Sequence, residues 1–137
     1  MASNTFDKYL GIKLVSFKAG QSKIKLKLKP FMLNHGGIAH GGVLATLCDI
    51  CLAFAVSTVL KKDEWCLTAQ LDIRYMNPAF PKETLIGYGK VLRKGNTIAF
   101  VEGGIKTKGG KEIARAHGIW AIKSARLKGI GKARYLE

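Results

Sequence analysis

Carboxylates are scarce in this chain: nine Asp and Glu stand against 23 Lys and Arg, a formal charge of +14 at neutral pH. An imbalance of that size points to an anionic partner, whether nucleic acid, acidic lipid or a phosphate-bearing small molecule. Proline is rarer still, with three in 137 residues, and 47% of the chain is apolar. That excludes a disordered or low-complexity protein and leaves enough chain for one domain with a real core. Cysteine is too sparse for a disulfide framework. Cys48, Cys51 and Cys66 are an odd number set among apolar neighbours, as expected of reduced thiols in the cytoplasm. Cys48 and Cys51 read C-x-x-C, but with no second pair and no nearby His a four-ligand zinc site is not expected. The opening "ASNTFDKYLG" has neither the basic nor the apolar stretch of a secretory signal. No internal repeat, basic helix or aromatic stacking platform is present, so nucleic acid is not the expected partner despite the charge.

One apolar run is long enough to require a decision. Residues 43 to 60, "VLATLCDICLAFAVSTVL", are interrupted by Asp49 and by the hydroxyls of Thr46, Ser57 and Thr58. Eighteen residues is the lower edge of a membrane span. Asp49 at the centre would cost roughly 2.5–3.5 kcal/mol there, and no second span follows. The expectation is a helix buried in a soluble domain, with no membrane partner. A lone buried carboxylate costs several kcal/mol unless paired or protonated, so Asp49 itself needs a reason.

Around that helix, from about Gly41 to Leu60 and ended by "KKDE", the chain reads almost entirely as strand. "FDKYL" is a short helix capped by Asn4 or Thr5 and stopped by Gly11. "IKLVSFK" and "SKIKLKLK" flank an Ala19-Gly20-Gln21 turn. The second of these alternates Ile24, Leu26 and Leu28 with Lys23, Lys25, Lys27 and Lys29, a half-buried strand whose wet lysine row is read as solubilising and edge-protecting. "CLTAQLDIRYM" sets Leu67, Ala69, Leu71, Ile73 and Tyr75 against Thr68, Gln70, Asp72 and Arg74. "TLIGYGKVLR", "TIAFVEGGIKT" and "EIARAHGIWAIK" follow, joined by turns at "KGN" and "KGGK". One greasy helix needs a sheet around it, giving an α+β domain in which a curled antiparallel sheet wraps one long central helix. The whole chain, 1–137, is expected to be this one domain, with its core at about 12–122 and a basic, loosely held tail over 123–137. Apolar residues on the sheet's outer face, such as Ile86, Tyr88 and Leu92 opposite Leu85 and Val91, predict an oligomer.

The chemistry gathers just before the long helix, in "NHGGIAHGG", residues 34–42. A glycine-rich turn feeding a helix N-terminus presents unpaired N–H groups and a positive dipole end, which suit an anion or an oxygen that becomes anionic during reaction. Asp49 lies nine residues beyond His40. Along a helix that is about 900°, a half-turn remainder, and about 13.5 Å of rise. One chain therefore cannot aim both side chains at one pocket, whereas a two-fold dimer can. An Asp capped by Thr46 or by a water is the plainer alternative.

The pattern Asn34-x-x-Gly37-x-x-His40-Gly41-Gly42 followed by Asp49 resembles the signature of hotdog-fold acyl-CoA thioesterases of the phenylacetate-degradation (PaaI-like) type and their human thioesterase-superfamily relatives. "LTAQLDIRYMNPA" resembles the family strand that carries a Ser or Thr at Thr68, and the likeness covers roughly residues 30 to 122. It implies the hotdog fold and hydrolysis of an acyl- or aryl-CoA thioester to free acid and CoA, with no cofactor beyond the coenzyme A of the substrate. It implies the Gly41 N–H as oxyanion donor, with Asn34 and His40 positioning the carbonyl and the water. Asp49 of the partner subunit would be general base or nucleophile, and Thr68 would orient the water. A homodimer is then the minimal unit, with a homotetramer as the assembly. Gly42 and the "RKGNT" turn, through Arg93, Lys94, Gly95 and Asn96, are the expected contacts for the CoA part, and Phe54, Tyr75 and Met76 for the acyl tail. His35 and His117 receive no catalytic role. Two other readings stay open: a hotdog acyl-thioester dehydratase or hydratase, and a non-catalytic binding module for acyl-CoA or nucleic acid.

Overall fold

The computed structural model describes residues 5–124. A short helix α1 (Phe6–Leu10) leads into strands β1 (Lys13–Lys18) and β2 (Gln21–Lys27), and a 3-10 turn (Pro30–Met32) precedes the long helix α2 (Gly41–Ser57). Strands β3 (Trp65–Tyr75), β4 (Thr84–Lys94), β5 (Ile98–Thr107) and β6 (Glu112–Lys123) complete one six-stranded antiparallel sheet in the order β1-β2-β4-β5-β6-β3. It is the expected α+β arrangement of one curled sheet around one helix. The predicted short helix is also present, but Thr5 caps it without a side-chain hydrogen bond. The tail expectation falls almost wholly outside the described residues.

Local chemistry explains most boundaries. The β1–β2 turn places Ala19 and Gly20 at φ 51° and 79°, the double left-handed conformation that a two-residue hairpin needs. Thr58, at the end of α2, accepts the Gly20 N–H at 2.7 Å, which ties this turn to the helix end. α2 is apolar nearly all round, and Leu47, Cys48, Cys51, Leu52, Ala55 and Val56 are fully buried beneath the sheet. Glycines on β4 let it come that close. A Cβ on Gly89 would stand 2.9 Å from Ser22 Oγ and 3.1 Å from the Cys51 carbonyl oxygen. Ser22 Oγ already donates to that carbonyl at 2.6 Å, so its buried hydroxyl is satisfied.

Three expectations need correction. The lysine row of β2 does not protect an edge, because β2 lies between β1 and β4. The sheet does not close fully over α2: Gly42, Ala45, Thr46, Asp49 and Ile50 keep some exposure, so Asp49 is half-buried rather than enclosed. Finally, β3 does not alternate cleanly. Thr68 pairs with Trp120 and Gln70 with Ile119, leaving Ala69 as an extra residue in a β-bulge. Leu67 and Ala69 therefore do not share a face with Leu71, Ile73 and Tyr75. The face toward α2 carries Cys66, Thr68, Leu71, Ile73 and Tyr75, opposite buried Ile122, Trp120, Gly118, Ala116 and Ala114.

Candidate active site

The glycine segment is a loop built by Asn34. Its Oδ1 accepts the Gly36 N–H at 2.8 Å and the Ile38 N–H at 3.3 Å, while its own N–H donates to the Ile38 carbonyl. Those two donors fix the amide orientation, and the Nδ2 donor is left for something else. Gly37 sits at φ 78°, and a Leu33–Ala39 bridge closes the base of the loop. The chain then enters α2 through His40, whose N–H is held by the Met32 carbonyl. His40 caps the helix with Nδ1, which accepts the Gly42 N–H at 2.8 Å. The ring proton therefore lies on Nε2, and His40 presents that donor outward. Gly42 is thereby spent on the cap, and its N–H is not open to a substrate. The Gly41 N–H takes part in no described hydrogen bond, and as the first helical N–H it points out of the helix end. Tyr75, expected to line an acyl pocket, packs on Gly41 and donates its hydroxyl to the Gly41 carbonyl at 3.2 Å. No sequence signal joined those two residues.

Asp49 lies two turns further on, along the stripe of α2 that the sheet leaves open. Thr68 Oγ1 donates to its Oδ1 at 2.7 Å. Thr46, the other candidate partner, donates to the Gly42 carbonyl instead. The bulge at Ala69 kinks β3 immediately beside Thr68, the kind of local re-aiming that bulges supply. β3 is also the last strand of the sheet, and among the described residues no strand pairs with its outer edge. Within one protomer Asp49 and Thr68 meet, whereas Asn34, His40 and Gly41 belong to the loop that opens α2, at a different level of the helix.

The β4–β5 turn is closed by the Gly95 N–H on the Ile98 carbonyl at 2.8 Å. Arg93 and Asn96 are exposed there, whereas Lys94 is held by Glu64 at 2.9 Å. The Lys61 N–H and the Lys94 ammonium together keep the Glu64 carboxyl below its ordinary range. Phe54, expected against an acyl tail, instead belongs to the core beside Phe17, while Met76 is exposed. His117 sits on the outer face of the sheet, on the rim of two shallow hollows of about 210 and 230 Å³. Burial pushes the Cys48 and Cys51 thiols up to about 12 and the Cys66 thiol up to about 11. Neutral thiols of that kind are poor nucleophiles and poor ligands.

A helix end with a free N–H, a second-nitrogen donor beside it and a carboxylate–hydroxyl pair along the same helix is equipment for acyl transfer to water. Comparison with known proteins agrees. The family model of the thioesterase superfamily matches residues 36–114. The chain belongs to the thioesterase superfamily. It is a thioester hydrolase. The matched stretch contains His40, Gly41, Asp49, Thr68 and the Arg93–Asn96 turn, with Asn34 two residues ahead of it. Human acyl-coenzyme A thioesterase 13 is 31% identical over 115 residues, covering 82% of this chain and 81% of that one. A provisionally named esterase of Saccharolobus solfataricus is 31% identical over 121 residues, covering 88% and 85%. Among solved structures, a Streptococcus mutans protein bound to acetyl CoA superposes with a TM-score of 0.79 at 25% identity, covering 92% and 97%. The E. coli PaaI protein of the phenylacetic acid degradation operon superposes at 0.81 with 24% identity, covering 87% and 84%, a likeness of fold. The hotdog fold of this family is the fold described above. Among the described residues no helix is long and apolar enough to cross a membrane.

Proposed function

We propose that this enzyme hydrolyses acyl-coenzyme A thioesters at a site shared between two protomers. The observation that carries the reading is the Thr68–Asp49 hydrogen bond on the open stripe of α2, beside the β3 edge that no described strand pairs with. β3 runs from Trp65, near the C-terminal end of α2, to Tyr75, at Gly41. Two-fold pairing of β3 with its copy in a homodimer sets the Tyr75 end of one strand against the Trp65 end of the other. The helix N-terminus of one protomer then faces Asp49 and Thr68 of its partner. The Arg93–Asn96 turn, tied by Lys94 to Glu64 beside Trp65, arrives at the same mouth.

In this arrangement the thioester carbonyl accepts the Gly41 N–H, with His40 Nε2–H and Asn34 Nδ2 as flanking donors. Thr68 holds one oxygen of Asp49, and the other takes a proton from water as the water oxygen attacks the carbonyl carbon. The tetrahedral oxyanion is stabilised at the helix end, where the dipole is positive. Its collapse breaks the C–S bond, and the proton on Asp49 passes to the departing thiolate. Arg93 and Asn96 meet the phosphates of the nucleotide. Lys94 joins them only by sharing itself with Glu64.

Asp49→Ala tests this directly. The side chain is half-buried and its deletion leaves one exposed hydroxyl unpaired, so the melting temperature should stay close to wild type. kcat on acyl-coenzyme A should fall by about 10²–10⁴, the usual worth of a positioned acid–base group. Wild-type turnover in a folded Asp49→Ala protein removes Asp49 from the reaction.

A further inference from the structure

The entrance to α2 is held from several directions. The Ala39 N–H donates to the Ala79 carbonyl at 2.9 Å, the His40 N–H to the Met32 carbonyl at 2.8 Å and the Gly42 N–H to His40 Nδ1 at 2.8 Å. The Val43 and Leu44 N–H groups both donate to the His40 carbonyl, at 2.9 and 3.2 Å. Of the backbone N–H groups from Ala39 to Leu44, only that of Gly41 has no described partner. Tyr75 adds a contact from across the fold. Its ring lies against Gly41, with Cε1 3.7 Å from where a Cβ would stand, and its hydroxyl donates to the Gly41 carbonyl at 3.2 Å. That carbonyl and the Gly42 N–H are two ends of one planar peptide group. Tyr75 holds one end and His40 Nδ1 the other. The fit at the His40 end is close, for a Cβ on Gly42 would stand 3.1 Å from Nδ1 and 3.4 Å from Cε1. Tyr75 is itself fixed by the sheet. It pairs with Ala114 at the end of β3, the Met76 N–H continues onto the Ile113 carbonyl at 2.8 Å, and Asn77 Nδ2 donates to the Glu112 carbonyl at 2.7 Å.

We propose that Tyr75 is a positioning residue for hydrolysis, acting on His40 through the Gly41–Gly42 peptide. The proposal rests on the thioesterase mechanism above, in which His40 Nε2–H flanks the oxyanion. A hydroxyl donated to a peptide carbonyl fixes the plane and polarises it, so that the N–H at its other end becomes the stronger donor. Gly42 then holds Nδ1 as an acceptor, which keeps the ring proton on Nε2 and aims it outward. Both hydrogen bonds are exposed to water, so the hydroxyl contributes placement more than stability. No proton travels along this path: Tyr75 keeps its hydroxyl and touches no reacting atom. A wall of the acyl pocket, the role expected of Tyr75 from sequence, asks only for an aromatic surface and makes no use of the hydroxyl.

Tyr75→Phe removes the hydroxyl and keeps the ring on Gly41. On an acyl-coenzyme A, kcat should fall about three- to tenfold, the worth of one neutral hydrogen bond, with KM within about twofold. Melting temperature and oligomeric state should not change, and the loss should be the same for a short and a long acyl group. In the His40→Ala background, Tyr75→Phe should change kcat by less than about 1.5-fold, because a residue acting through His40 has nothing left to position. Magnetic resonance reads the clamp without turnover. In Tyr75→Phe the Gly42 amide should exchange faster with solvent while those of Val43 and Leu44 hold, and the His40 ring nitrogens should move away from the Nε2–H tautomer of the wild type. An unchanged Gly42 amide and His40 ring overturn the proposal and leave the thioesterase reading standing. So does a loss confined to KM or varying with acyl length, which makes Tyr75 a pocket wall, and so does an equal loss with and without His40. A His40→Ala enzyme with wild-type kcat removes His40 from the mechanism, and the role of Tyr75 with it.

Discussion

At the scale of single residues, the proposed mechanism gives Asn34 and His40 two jobs each, at two ends of one side chain. Asn34 Oδ1 shapes the loop, while in the proposed mechanism Nδ2 is the donor offered to substrate. Asn34→Asp keeps the accepting oxygen and removes the donor. The melting temperature should hold, and kcat should drop with little change in KM, by an amount equivalent to about 2.7–4 kcal/mol if this donor serves the oxyanion. A change confined to KM would reassign Asn34 to binding. His40→Ala removes both cap and donor and should lower kcat and stability together, the cap being worth about 1 kcal/mol. The thiols give a different prediction. Cys48, Cys51 and Cys66 should resist alkylation at neutral pH in the folded protein and react at the rate of unfolding, as read by mass spectrometry against time in denaturant. Their folded pKa values lie above the ordinary 9.0, so the unfolded chain releases these protons first. Stability from this source is complete below about pH 9 and is lost as pH rises toward about 12 for Cys48 and Cys51.

At the scale of elements, much was readable because period and punctuation agreed. α2 was marked by its apolar run and glycine entry, and the β1–β2, β4–β5 and β5–β6 hairpins by glycine turns between alternating strands. The bulge was not readable. Thr68-Ala69-Gln70 has no glycine, and its alternation continues smoothly in sequence, so only pairing against Trp120 and Ile119 reveals the extra residue. The family likeness implied a role for both Thr68 and Asp49, but their hydrogen bond within one protomer follows from no spacing in the sequence. Lys94–Glu64 and Tyr75–Gly41 join residues far apart in sequence whose types alone say nothing of meeting. The closeness of α2 to β4 is also invisible until the two are packed. Gly89→Ala would force a methyl between Ser22, Cys51 and Ala55, with the helix backbone as one wall. Overpacking of that kind should cost about 1–3 kcal/mol in a denaturant melt, with the midpoint shifted and the slope unchanged.

At the scale of the whole molecule, the shared-site reading makes a prediction that no single-chain mechanism shares. Asn34→Asp and Asp49→Ala, each inactive alone, can be mixed under subunit exchange. In a mixed dimer one site collects both lesions and the other collects none, by the symmetry of the pairing. Equal amounts make about half the dimers mixed, so activity should return to about a quarter of wild type. Exchange verified by mass spectrometry with no recovery would place both lesions in one protomer's own pocket, or show that either one disables the dimer.

The strand order carries a further consequence, one of timing. β3 is made before β4 and β5, yet among the described residues the strand it pairs with is β6, the last of the described strands to be synthesised. At about 5–20 residues per second, the stretch from Tyr75 to Lys123 takes roughly 2–10 seconds to synthesise. Throughout that interval a nascent β3 has two bare edges, and Leu67 and Ile73 have no ladder to hold them. On a polysome, neighbouring nascent chains hold the same strand in the same condition, and antiparallel β3–β3 pairing is the contact the finished dimer would use. On the shared-site reading, the order in which that pairing and the arrival of β6 occur separates assembly from aggregation, and slower translation across residues 76–123 is expected to lower the soluble yield.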